Sequence, residues 1–163
     1  MKKDVVTLLC ILGLSLVSPT YTIVQSVKFN QQCSGYLVQA ANANSIDLAK
    51  ECLGKAIRYA EKNKLTSGYT SCLFKTEGDN IGYWYKNMKF CQEELESAAD
   101  KSSLEKTNVL MKLRESIMDS DQLNIPYGIS RYPYNFLFGL LNIISVCAFL
   151  ISLTLLPIFA FEI

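Results

Sequence analysis

The sequence predicts an all-α protein: a small bundle of three to four helices, a C-terminal transmembrane helix and an N-terminal signal peptide or signal anchor. Three observations carry that expectation. The stretch YPYNFLFGLLNIISVCAFLISLTLLPIFAF at 132–161 holds no charged residue between Arg131 and Glu162. A second apolar run, VVTLLCILGLSLV at 5–17, follows a short basic start at Lys2 and Lys3. Between them, apolar residues recur at spacings of three and four, the period of a helix with one buried face.

The C-terminal stretch is the plainest of the three. A helix rises ~1.5 Å per residue, so about 20 apolar residues cross the roughly 30 Å hydrocarbon core. Residues 136–161 exceed that and leave room for tilt. Asn142, Ser145, Ser152 and Thr154 lie within this run. Ser and Thr can bond to their own backbone, so Asn142 is the candidate helix-pairing residue, a feature an inert anchor would not need. No charge lies in either apolar segment to mark a proton or ion path.

At the other end, a basic start, an apolar core and the breaker Ser18-Pro19-Thr20 fit a secretory signal peptide. No small A-x-A triplet follows to define a cleavage site, and the run can equally continue through Val24 as an uncleaved anchor. Both readings of 1–24 put Lys2 and Lys3 in the cytoplasm by the positive-inside rule, and the central domain across the membrane.

The central domain is expected over 25–119. Its first helix is weak, with Cys33, Tyr36, Leu37 and Ala40/Ala41 in register but Ser34-Gly35 interrupting. A better one spans 46–63, where Ile46, Ala49, Leu53, Ala56, Ile57 and Ala60 form a stripe capped by Asn44 or Ser45. Residues 64–80 read as a long structured loop with a short extended piece near 71–74. A third helix, 81–98, is capped by Asp79 or Asn80 and carries Ile81, Trp84, Tyr85, Met88, Cys91 and Leu95 on one face. Ser102-Ser103-Leu104-Glu105 is a capping box opening a fourth helix to about Asp119, whose face gathers Leu104, Leu110, Met111, Leu113, Ile117 and Met118. Residues 120–135, with Pro126, Gly128 and Pro133, read as an irregular connector. Tyr127, Tyr132 and Tyr134 beside Arg131 suit an interfacial aromatic belt.

Several chemistries are excluded or unsupported. The 163 residues include no histidine, which removes Ser-His-Asp, Cys-His and HExxH arrangements. Sixteen basic and fifteen acidic residues balance to +1 without a basic block, so no nucleic-acid footprint exists. No phosphate-cradling glycine motif occurs in the loop. The cysteines are far apart, never as C-x₂-C pairs, and no metal or other cofactor is expected. Glu93, Glu94 and Glu96 are a solvated helix face, since neighbouring helical positions point apart.

Cys33, Cys52, Cys72 and Cys91 allow three disulfide pairings on an oxidising side of the membrane. If the second and third helices form an antiparallel hairpin, Cys52 and Cys91 fall at similar height. That makes Cys52–Cys91 the candidate bridge and leaves Cys33–Cys72. The plainer alternative is free, buried thiols. The phrases AANANSIDLAKECLGKAIRYAEKNKLTSGYTS, NIGYWYKNMKFCQEEL, TNVLMKLRESIMD and IPYGIS, covering most of 33–130, resemble a family of uncharacterised bacterial membrane-anchored helical proteins. That resemblance implies a folded domain and carries no functional residue.

The expectation is therefore a membrane-anchored, non-enzymatic interaction or assembly module with its domain on the extracytoplasmic side. Tyr69, Phe74, Tyr83 and Phe90 form its candidate surface for a membrane or extracytoplasmic protein partner, with no small-molecule substrate. The alternatives are an accessory subunit of a membrane complex packing through 136–161, and a thiol-redox protein using Cys52 and Cys91.

Overall fold

A computed structural model describes residues 2–161, which leaves Glu162 outside the described residues. The chain is mainly helical. Helices α1 (Lys2–Ser15) and α2 (Val17–Phe29), a π-helical turn at Asn30–Ser34 and α3 (Gly35–Ala41) follow one another almost without interruption. Helices α4 (Ile46–Lys62), α5 (Ile81–Ser97) and α6 (Ser103–Ile117) complete the domain, and α7 (Asn135–Phe161) is the long closing helix.

The N-terminal rod departs from the expected organisation. Pro19 does not end it, because it lies in the first turn of α2, where a missing N–H costs no intrahelical bond. Nor does the chain break near residue 25. Instead α2 runs on into the domain, where Phe29 is buried and meets Tyr59 edge-on at 5.8 Å. The π-turn assists this entry. Its wider turn keeps Phe29, Cys33 and Leu37, each four apart, on one buried face. Gly35 closes it, since a side chain there would crowd the carbonyl of Asn30 at 3.1 Å.

The domain core lies where α3 to α6 meet. Ser45 caps α4 by accepting from the Leu48 N–H at 3.3 Å, and Ile46, Ala49, Cys52, Leu53, Ala56, Ile57 and Ala60 are all buried. Asn80 caps α5 by accepting from the Tyr83 N–H at 3.0 Å, and that helix buries Ile81, Trp84, Met88, Cys91 and Leu95. Tyr85, one turn into α5, donates to Glu61 near the end of α4 at 2.7 Å, so the two helices run antiparallel. The Ser102–Glu105 capping box opens α6 as expected. Its buried face is narrower than the sequence indicated: Leu113 and Ile117 enter the core, whereas Leu104 and Met111 stand outside.

Two segments differ from their sequence reading, and α6 ends at Ile117 instead of near Asp119. After α6, Met118–Asp119 and Gln122–Leu123 pair as a minimal antiparallel hairpin, β1 and β2. Its turn residues Ser120 and Asp121 both have positive φ, the backbone of a hairpin turn of matched twist. The long loop is fixed at its base rather than extended at 71–74. Thr70 N–H donates to Asp79 O and Ile81 N–H to Gly68 O, both at 2.9 Å, and Tyr69 bridges to Asn80. Leu65 is buried beneath it.

Helix α7 packs against α1 and α2. Ser18 meets Asn142 and Ser26 meets Ser130, so the two apolar elements are antiparallel. The domain therefore sits at the end where α2 finishes and α7 begins. Both elements are long and apolar enough to cross a membrane, and only 6% of the most apolar window of α7 is buried. A helix from the core of a soluble protein would be covered on most sides.

Candidate functional site

Three places on the molecule carry features beyond packing. The first is the seam between α2 and α7. Ser18, Thr22 and Ser26 recur every four residues, which puts them on one face of α2. That face turns to α7. Ser18 Oγ donates to Asn142 Oδ1 at 2.8 Å, and Asn142 Nδ2 donates to Thr22 Oγ1 at 3.2 Å. Ser26 and Ser130 Oγ lie 3.3 Å apart at the domain end. Tyr21 stacks on Phe138 with centroids 4.9 Å apart. Asn142 thus joins helices, but within the chain. Reading Ser18-Pro19-Thr20 as a breaker hides these partners, although the 18, 22, 26 spacing marks a polar stripe in an apolar helix.

The second is the set of aromatic side chains proposed as an interaction surface. They fall on two elements, Tyr83 and Phe90 on α5 and Tyr69 and Phe74 in the loop before it. Tyr83 and Phe90, seven apart on α5, share one outer stripe and are 65% and 52% exposed. Lys112 lies over the Phe90 ring at 5.3 Å and pairs with Glu94, which ties this stripe to α6. Tyr69 lies in the loop base, itself exposed, with Lys75 over its ring at 5.3 Å. Phe74 is at the far tip of the same loop.

That tip makes the third place. Leu73 and Phe74 are 79% and 80% exposed. Together with Tyr127, Arg131, Phe136 and Gly139 they border an open groove of about 640 Å³ between the loop and the start of α7. Asp79 secures the loop below it, accepting from Thr76 Oγ1 at 2.6 Å and from Thr70 Oγ1 at 3.2 Å. Those two hydroxyls, Thr76 first, hold the Asp79 carboxyl below its ordinary range. The sequence signal for this place was a Leu-Phe pair in an otherwise polar loop.

The cysteine expectation is corrected. All six are free thiols, and the hairpin of α4 and α5 does not bring Cys52 and Cys91 together as a bridge. Cys52 Sγ turns to Gln39 Oε1 on α3 at 3.6 Å, while Cys91 interacts with Ser116 on α6. Equal height on neighbouring helices is not enough when the two side chains address different partners. Cys33 is enclosed in the core and Cys72 is exposed, so the leftover pair is not formed either. Burial, above all, raises the Cys91 thiol above its ordinary pKa, away from the thiolate that redox exchange needs. Among the described residues, no group of three metal-ligating side chains converges.

Compared with protein-family models, curated proteins and solved structures, the chain matches none.

Proposed function

We propose that this chain is a membrane-anchored, non-enzymatic interaction module. Its α1–α2 rod and α7 form a two-helix anchor, the start of α1 and the end of α7 lie on the cytoplasmic side, and the α3–α6 domain stands on the other. In this reading the N-terminal segment is retained as a signal anchor, because Ser18, Thr22 and Tyr21 are integral to the seam with α7. The lipid-facing character is supported by the exposure of Val6, Leu14, Ile23, Ile143 and Leu150 along both elements, since soluble monomers rarely leave large apolar patches uncovered.

The observation that carries the interaction role is the Tyr83–Phe90 stripe. It lies outside a core that is already filled, on a helix whose buried face is complete without it. Aromatic anchors on a polar helix face are the residue types that dominate protein interfaces. An accessory subunit packing through 136–161 is the second reading, and it would have to use outward side chains of α7 other than Asn142, whose amide bonds Ser18 and Thr22.

Affinity capture from detergent-solubilised membranes tests the proposal, with the parent chain compared to Tyr83→Ala/Phe90→Ala. The parent should retain a defined partner that the double variant loses while keeping its helical circular dichroism. A partner retained by the double variant but lost when α7 is exchanged for an unrelated spanning helix would refute the surface and favour the subunit reading.

A further inference from the structure

We infer that the Leu73–Phe74 tip is a membrane-surface foot: it inserts into the interfacial zone of the same leaflet from which α7 emerges and holds the domain down on the bilayer. The inference rests on the membrane reading above and adds a second, non-spanning contact with lipid.

Position is the first ground. The groove beside the tip is bordered on its other side by Phe136 and Gly139, which belong to the first turns of α7. The tip therefore borders the same groove as the beginning of the charge-free helix. Continuity is the second. Phe136 is exposed and opens directly onto the apolar outer surface of α7, including Leu137, Leu140 and Leu141. Whatever covers that surface also reaches the groove, and for a spanning helix the covering is lipid.

Chemistry is the third. Tyr127 and Tyr134 are exposed at this end of α7, and such rings settle at headgroup level with an apolar body and a polar tip. Arg131 also borders the groove and makes no ion pair among the described residues. Its guanidinium is suited to a lipid phosphate at the height where phosphates lie. Leu73 and Phe74 then extend past that layer to the glycerol and upper acyl region.

The loop is also built to present such a tip. Its base is closed by the paired bonds Thr70 N–H to Asp79 O and Ile81 N–H to Gly68 O. Phe74 N–H donates to Ser71 Oγ at 3.3 Å, forming the turn at the end. Two large apolar side chains on a fixed base lose little freedom on insertion, in contrast to a disordered segment.

The test uses tryptophan fluorescence of the full chain reconstituted alone in phosphatidylcholine vesicles, with bromine placed either high or low on the acyl chains. The parent, whose only tryptophan is Trp84, supplies the baseline. Phe74→Trp is expected to lose fluorescence above that baseline, more with the high bromines than with the low ones. Val146→Trp, exposed near the middle of α7, is the control and should be quenched most by the low bromines. A quenched Val146→Trp beside an unquenched Phe74→Trp overturns the foot and returns the tip to a protein partner. An unquenched Val146→Trp overturns the membrane reading itself, and the foot with it. Both substituted side chains are exposed, so neither variant disturbs the core.

Discussion

Asn142 of α7 is hydrogen-bonded to Ser18 of α2, 124 residues earlier in the chain, at 2.8 Å. The same amide donates to Thr22 Oγ1 at 3.2 Å. One side chain thus uses both its acceptor and its donor to fix the rotation and height of two otherwise apolar helices. Without it, the register would rest on the Tyr21–Phe138 stack and the Ser26–Ser130 contact, because purely apolar helix faces in lipid pack almost equally well in several registers.

The expected effect of Asn142→Leu follows from the alternatives open to its partners. Thr22 Oγ1 already donates to Ser18 O at 3.0 Å, and the freed Ser18 hydroxyl can turn to a carbonyl of its own helix, so neither need be left an orphan. The loss should therefore be about 1 kcal/mol, in the range found for interhelical hydrogen bonds in membranes. Ser18→Ala should cost less, and the double variant should fall short of the sum because both act on one contact. Thermal unfolding in detergent, followed through the helical signal, measures all three. Strict additivity would show that the two residues act independently.

A second prediction concerns Gly68, whose φ of +103° lies where side chains are disfavoured. A Cβ there would overlap the hydroxyl of Tyr132, which packs over the loop base. Strain and overlap act together, so Gly68→Ala should destabilise the domain by roughly 1–3 kcal/mol. Gly78→Ala is the control, with only Thr76 Oγ1 near, at 3.9 Å, and should change the melting temperature little. Equal effects of the two substitutions would show that the loop base does not constrain the fold.

How much of this was legible beforehand depended on whether a feature was local or relational. The faces of α4 and α5 were readable residue by residue, since burying one stripe of a helix leaves a period in the sequence. The Ser45, Asn80 and Ser102 caps were readable for the same reason: a cap is a short-range bond between a side chain and a backbone two or three residues on. The Asn142 seam was half legible. A lone amide in an apolar helix asks for a partner, but whether the partner is in the same chain is decided by which helix packs beside it. The Cys52–Cys91 pairing failed on that point as well, because rotation about each helix axis turned the thiols towards α3 and α6. The hairpin at Met118–Leu123 was hidden by its turn, where Ser120-Asp121 replaces the usual glycine.

The thiols give a third prediction that separates buried from exposed cysteines. In folded protein an aqueous maleimide should label Cys72 and leave Cys33, Cys52 and Cys91 unmodified; denaturation should expose all four. Electrophoretic mobility should be the same with and without reductant. A mobility shift on reduction would reinstate a disulfide, and labelling of Cys91 before Cys72 would contradict the packing of α5 on α6.

The last prediction follows from Asp79. Its carboxyl is depressed below the ordinary value of 3.8, chiefly by the Thr76 hydroxyl and further by Thr70. A group that is more acidic when folded supports the folded form above its unfolded pKa, and that support disappears as pH falls through the folded value. The loop base should accordingly be insensitive to pH from neutrality down to about 4 and loosen below it. Asp79→Asn removes the charge at every pH and should give the acid behaviour at neutrality. Hydrogen exchange at the Thr70 and Ile81 amides reads both, because those two N–H groups close the loop. Exchange in the variant should be faster at pH 7 and should no longer accelerate on acidification beyond the intrinsic rate. If the parent amides instead loosened between pH 7 and 5, a group other than the Asp79 carboxylate would be fastening the base of the loop, and the position of the Leu73–Phe74 tip would depend on that group.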